Sequence, residues 1–368
     1  MLIFLYSIVI ITNFIFAFKV FVIPLNRSVH KSNLLIVLIT FILFYLLMAG
    51  YRNNSGLTND LLNNQAEYYL VNSFNISNYE PIFVFLMRVG GLLSLDFYSW
   101  RALMIFIALL ILFVSALKWT PNPHFIFAMF GTNLLIQSSH LFRNFLALSL
   151  FFMGQCIYKY SESRYRKVFF ITLFIFSGLI HASFLLYLPL LLIDTKFFKS
   201  NKHIIFYSVF FLCLLLFFFG SQIPGLNFIA SKIGISRLDV YLQNRTTFGF
   251  ILFILLHLLS LFSIFLIKKR QFLTKGNEIS FNFQLISVIY YPLFMIDGTF
   301  IRLVRNLLLD VYSTQGEYLI DDIKDKRKIN YIFFIIFFSI SWVVVNYFVQ
   351  SKPEIIFYPF FSDNIYFK

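Results

Sequence analysis

The stretch Gly50-Tyr51-Arg52-Asn53-Asn54-Ser55-Gly56-Leu57-Thr58-Asn59-Asp60, continuing through Glu67-Tyr68-Tyr69 to Asn78-Tyr79-Glu80-Pro81, is a polar island between two apolar runs. Polar groups in such number do not face lipid, so the segment sits in water or lines a wet cavity. It combines one Arg with carboxylates, amides, tyrosines and a Gly suited to a tight turn. Those groups suit a charged, hydroxylated ligand such as a sugar phosphate better than a bare ion or an apolar molecule.

Sixty per cent of the residues are apolar and only 12% are charged, against about 25% charge in soluble domains. The mean hydropathy is positive. Together these exclude a soluble globular protein and predict an all-α polytopic membrane protein. The N-terminus, Met1-Leu2-Ile3-Phe4-Leu5-Tyr6, has no basic n-region, and its apolar run continues to Ile23 without a small-residue cleavage site. It therefore reads as a retained transmembrane helix rather than a signal peptide. Cys156 and Cys213 lie inside apolar runs and read as buried packing residues, with no disulfide and no metal site. The net charge of +14 reads as membrane topology rather than nucleic-acid binding, because the basic residues sit mostly in short loops.

Taken in order, the apolar runs predict about twelve transmembrane or half-spanning helices in a single membrane domain covering residues 1–368. The basic loop Pro24 to Lys31 is cytoplasmic, which puts the polar loop 51–79 on the outer face, with a second outer loop at 221–247 and both termini external. Pro81 after Glu80 marks a helix start, and the short apolar segment to Leu95 reads as an outer-face or re-entrant helix. Two hairpins of short spans follow, Phe125–Gln137 with Phe145–Tyr158 and Val168–Gly178 with Phe184–Ile193. At ~1.5 Å per residue they reach only ~20 Å of a ~30 Å hydrocarbon core. Their polar tips, around Arg143-Asn144 and His181-Ala182-Ser183, are expected at the floor of an outward cavity.

The two faces also differ in the kind of cation. Inner loops carry mostly lysines, as insertion requires. The outer set is Arg52, Arg88, Arg143, Arg237, Arg245, Arg302 and Arg305, which runs against the topology rule. Arginine offers a planar fork of donors that binds phosphate bidentately, so a cavity lined with it suits a diphosphate. Each residue also has a plainer reading. Arg143 could snorkel to the interface from a helix end, and His181 could be a hydrogen-bonded packing histidine. Asp60 and Glu80 could act as a general base or pair with Arg52 and Arg88. The glycines form no nucleotide-binding loop, and the spacing of His and carboxylates does not predict a metal.

Five elements in order resemble the EpsG/Wzy-type family of polysaccharide polymerases. They are Tyr51-Arg52 with Gly56 and Asp60; Glu80-Pro81-Ile82-Phe83; Arg143-Asn144 with Ala147; His181-Ala182-Ser183; and Arg302-Leu303-Val304-Arg305. Two of them depart from the family pattern. The Gly-Thr-Asp run is spread over Gly56-Leu57-Thr58-Asn59-Asp60, and an Arg-Gln is replaced by Arg143-Asn144. Pro359 with its aromatic neighbours also fits.

The resemblance implies a fold related to membrane glycosyltransferases that use lipid-linked donors. It implies a bacterial cytoplasmic-membrane enzyme that joins undecaprenyl-diphosphate-linked oligosaccharide repeat units at the outer face, in exopolysaccharide, capsule or O-antigen synthesis. No cofactor and no nucleic acid is expected; the partners are the lipid bilayer, a flippase and a chain-length regulator. Catalytic roles fall to Glu80, His181 and Arg143, with Glu80 or His181 as base. Substrate binding falls to Arg52, Asp60, Arg302 and Arg305. The competing readings are a lipid-linked oligosaccharide flippase, which should show internal repeats, and a membrane acyltransferase, which leaves the outer arginines unexplained.

Overall fold

The computed structural model describes residues 2–22, 33–52, 59–74, 76, 77, 79–219, 249–269, 275–320, 326–350 and 353–367. Gly56 and Thr58, the loop 221–247 with Arg237 and Arg245, the basic loop 24–31 and the residues 321–325 lie outside them. The described residues are mostly helical with no strand among them, and the fold is that of an all-α polytopic membrane protein. Helices satisfy their own backbone groups, which lipid cannot do. Phe97–Trp119, Gly249–Lys269 and Ile329–Val349 are long and apolar enough to cross a membrane. The chain divides into two compact units, residues 1–185 with 309–368, and residues 186–308; each is described by itself.

The first unit contains α1 (Leu2–Val22), α2 (Leu34–Gly50), α3 (Asn59–Phe74), α4 (Pro81–Leu92), α5 (Phe97–Trp119), α6 (Pro123–Asn133), α7 (Leu135–His140), α8 (Phe142–Tyr160) and α9 (Arg166–Ile180). After the second unit it resumes with α15 (Leu308–Ile320), α16 (Lys326–Val344) and α17 (Phe357–Ser362). Its core is stitched by buried amides, which hold helices together where lipid offers no competing hydrophobic drive. Asn13 of α1 donates to Thr40 Oγ1 of α2 at 2.8 Å and meets His124 Nδ1 of α6 at 3.0 Å. Asn133 donates to Tyr312 Oη at 3.0 Å.

One end of this unit gathers the polar stretch and the described parts of both termini. Tyr51 forms an antiparallel bridge with Asn364, and the Arg52 N–H donates to Asp363 O at 3.1 Å. Asn364 Nδ2 in turn donates to Leu47 O at 2.9 Å, satisfying a carbonyl at the end of α2. The tail lies so close that a Cβ on Gly50 would overlap Asn364 Oδ1. Near the start of α1, the Tyr6 ring meets Phe361 at 5.4 Å. At the opposite end Asn122 Nδ2 reaches Ala17 O at 3.2 Å, and Tyr160 Oη donates to Glu317 Oε2 at 3.2 Å.

Three expectations change. Residues 59–74 of the polar loop form a helix, α3, whose Leu61, Asn64, Tyr68 and Val71 recur at helical spacing and are buried. Tyr68 Oη donates to Leu95 O at 2.7 Å, docking α3 on the turn before α5. The first hairpin is not short, since α8 alone runs for 19 residues, ~28 Å of rise. Its polar ends stay helical because they are buried in protein rather than exposed to lipid. Lys159, which follows the expected span Phe145–Tyr158 and so falls among the inner-loop lysines, is buried; it donates to Ser313 Oγ and Thr314 Oγ1 at 3.0 and 2.6 Å and lies 3.8 Å from Asp310 Oδ1.

The second hairpin is short as expected: α9 has 15 residues and returns through an 11-residue 3₁₀ helix, Ala182–Leu192, where such runs rarely exceed about four. The break between α6 and α7 at Leu134 is tolerated because Asn346 Nδ2 donates to the released Asn133 carbonyl at 3.2 Å.

The second unit comprises α10 (Lys196–Phe219), α11 (Gly249–Lys269), α12 (Lys275–Ile286), α13 (Tyr291–Ile296) and α14 (Arg302–Arg305). Between α12 and α13 the helix is interrupted at Ser287–Tyr290 by a 3₁₀ turn ahead of Pro292, which lacks the N–H that would continue an α-helix. Cys213 is only partly buried, unlike Cys156.

Candidate functional site

Glu80 closes the polar stretch. Its backbone is extended, with φ −66° and ψ 148°, and Pro81 opens α4. An aspartate here ordinarily turns its carboxylate onto the helix N–H groups. Glu80 does not. Its Oε2 accepts from Arg143 Nη1 at 2.7 Å and its Oε1 accepts from the Ala182 backbone N–H at 2.7 Å.

Arg143 stands in the first turn of α8, just past the bend at Leu141. Its guanidinium lies 4.1 Å above the Tyr79 ring and 5.6 Å from that of Phe83. Snorkelling would carry the head away from the protein; here it turns back onto Glu80. The two side chains keep 20% and 19% of their accessible surface, so the pair is open to solutes.

His181 ends α9, its backbone N–H donating to Ser177 O at 2.9 Å. The ring folds over the start of the 3₁₀ helix, where Nδ1 accepts the Ser183 backbone N–H at 3.3 Å and lies 2.8 Å from Ser183 Oγ. A backbone N–H can only donate. The neutral ring therefore carries its proton on Nε2 and acts as a donor there. Glu-Pro, Arg-Asn and His-Ala-Ser, far apart in the chain, are thus held together by one carboxylate.

The other candidates are placed differently. Arg52 stacks on Tyr98 at 4.1 Å and donates to Ala49 O at 3.3 Å, capping the end of α2. It also helps to lower the Asp96 carboxyl, although the main cause there is the Ser99 backbone N–H at 2.6 Å. Asp60 is exposed in the first turn of α3, and Arg88 is exposed on α4. Glu80 pairs with Arg143, not with Arg52 or Arg88. Arg302 and Arg305 lie in the second unit, one turn apart on α14, with Arg302 half-buried and Arg305 buried.

Arg101 was absent from the sequence-derived set. It is fully buried in α5 and donates to Tyr51 O at 3.1 Å, Met48 O at 3.0 Å and Ser139 O at 2.9 Å. The signal was available: an arginine inside an apolar run is expensive and marks a site by default.

A family model, the EpsG family, matches residues 35–362. The chain belongs to the EpsG family. The match covers Arg52, Asp60, Glu80, Arg143, His181, Arg302 and Arg305. EpsG-family membership goes with polysaccharide polymerisation, a glycosyl transfer carried out by a multi-pass membrane protein on a lipid-linked substrate. No curated protein and no solved structure matches the chain. For an EpsG-family protein the chemistry of this cluster is apt: a forked cation, a carboxylate able to take a proton, and an imidazole N–H.

Proposed function

We propose that the protein is the polymerase that joins oligosaccharide repeat units carried on undecaprenyl diphosphate, at the outer face of a bacterial cytoplasmic membrane, working as one membrane domain. The observation that carries this reading is the Glu80 carboxylate bridging Arg143 and the Ala182 N–H. It draws three polar motifs to the end of the first unit that also holds the polar stretch.

The donor is the growing chain on its lipid diphosphate, and the acceptor is a hydroxyl of an incoming unit. The bond between the anomeric carbon and the phosphate oxygen breaks as the acceptor oxygen attacks from the opposite side, inverting the configuration. Lipid diphosphate leaves with the electron pair. Arg143 meets its charge, since preorganised donors aimed at developing negative charge are among the largest contributions to catalysis.

A diphosphate taking the Arg143 fork competes with Glu80 for it. Glu80 Oε2 is released at that moment, while Oε1 stays tied to the Ala182 N–H. The freed oxygen accepts the acceptor proton as general base. Pairing thus masks the base until the donor is bound. His181 contributes its Nε2–H as a donor to the bound sugar or phosphate. Arg52 and Asp60 serve the acceptor side, and Arg302 and Arg305 are assigned to substrate binding. A flippase that supplies the units and a chain-length regulator are the expected partners.

Removal of the protein followed by examination of the lipid-linked sugars tests the reading. Single repeat units accumulating on the outer leaflet support a polymerase. Units trapped on the cytoplasmic face would instead assign a flippase.

A further inference from the structure

Arg101 is a charge with no exposed surface, and burying an ion is costly unless it is well hydrogen-bonded. Of its partners, Met48 O belongs to the last turn of α2, Tyr51 O to the residue that ends it, and Ser139 O to the last turn of α7. Both turns are negative ends of helix dipoles, where a cation is stabilised. One guanidinium therefore clamps α2 and α7 to the first turn of α5.

Four residues beyond Ser139 stands Arg143. The Phe142 ring between them lies 5.7 Å from the Arg101 guanidinium. It packs on Phe83 at 5.9 Å and Trp100 at 5.7 Å. Phe83 is one turn along α4 from Glu80 and borders the Arg143 guanidinium. The clamp and the ion pair thus share one aromatic floor.

We propose that Arg101 is a positioning residue for the glycosyl transfer: it fixes the α7–α8 bend so that Arg143 meets Glu80 and the donor diphosphate in one orientation. This rests on the assignment of Arg143 to the site. Lysine keeps the charge of Arg101 but not a planar fork spanning three carbonyls. Small displacements of catalytic groups cost on the order of ten- to a hundredfold in rate.

The test compares the full-length protein with Arg101→Lys, Arg143→Lys and the double variant, measuring polymer formed per folded molecule, with folded protein quantified by its thermal transition in detergent. Arg101→Lys is expected to lose about tenfold or more per folded molecule, and to add less than about twofold in the Arg143→Lys background, because residues acting as a unit are not additive. Normal output per folded molecule from Arg101→Lys overturns the inference, leaving a residue that serves stability alone. So does the same full loss in both backgrounds. Normal output from Arg143→Lys defeats the site assignment itself, and the inference with it.

Discussion

Glu80 and Arg143 stand 63 positions apart and meet through Oε2 and Nη1 at 2.7 Å, and the remaining carboxylate oxygen takes the backbone N–H of Ala182. The consequence is an acid and a cation that each wait on a substrate group to part them.

Glu80→Gln keeps the shape and the helix start. The amide oxygen can still accept from Ala182, but the side chain can neither hold a charge against Arg143 nor take a proton. Polymer is expected to fall by about a hundred- to ten-thousand-fold, the usual contribution of general-base catalysis, at an unchanged level of protein in the membrane. Full activity in this variant would leave Glu80 with a structural role only.

The tail should matter to the fold. Asn364→Ala removes the side-chain amide that satisfies Leu47 O, while the backbone bridge to Tyr51 stays in place. Unsatisfied buried carbonyls cost roughly 1–3 kcal/mol, so the thermal midpoint of the purified protein should drop by a few degrees. Gly50→Ala should act in the same direction, since its Cβ would overlap Asn364. Unchanged midpoints in both variants would show that the tail does not support the α2 end.

Lys159 and Asp310 are each 1% exposed. Breaking a buried pair from one side typically costs about 3–5 kcal/mol, though here Lys159 retains Ser313 and Thr314. Asp310→Asn is therefore expected to lower the amount of folded protein, while polymer per folded molecule stays near normal because the pair lies at the end away from Glu80. A selective loss of activity at normal protein level would mean that this end also takes part in the reaction.

The orientation can be read with a membrane-impermeant thiol reagent applied to intact cells. A cysteine replacing the exposed Ser99 should react, and cysteines replacing the exposed Ser163 and Ser200 should not. Ser139 is fully buried and should stay silent whichever way the chain is inserted. Labelling at Ser163 would turn the protein over and with it the site.

The positions of the apolar spans were legible because hydropathy reports what lipid will accept. The interruptions were less so. The bend at Leu134 depends on Asn346 from the far end of the chain, and no local residue announces it. The first hairpin reads as too short because Arg143-Asn144 and Lys159 look like loop residues; all three are helical, and Asn144 and Lys159 are buried in protein. The helix in the polar stretch could have been read from the spacing of Leu61, Asn64, Tyr68 and Val71.

The site residues were legible as types, since arginines on the wrong side of a membrane and a Glu-Pro helix start each ask for a reason. Their pairing was not. Nothing within α4 marks Arg143 rather than Arg88 as the partner of Glu80. Arg101 was legible as an arginine inside an apolar run, but its three carbonyl partners on α2, Tyr51 and α7 were not.

The most direct measurement concerns Arg143, because charge and geometry can be separated there. Arg143→Lys keeps a long cationic side chain but cannot present two parallel donors to one phosphate. Losing one charge-assisted hydrogen bond costs about 1.5–3 kcal/mol, on the order of ten- to a hundredfold in rate. Lipid-linked sugars extracted from cells with equal amounts of the two proteins should show single repeat units accumulating in the Arg143→Lys strain while polymer falls by that factor. Wild-type polymer from Arg143→Lys would contradict the account, and wild-type polymer from Arg143→Ala as well would remove the Glu80–Arg143 pair from the chemistry.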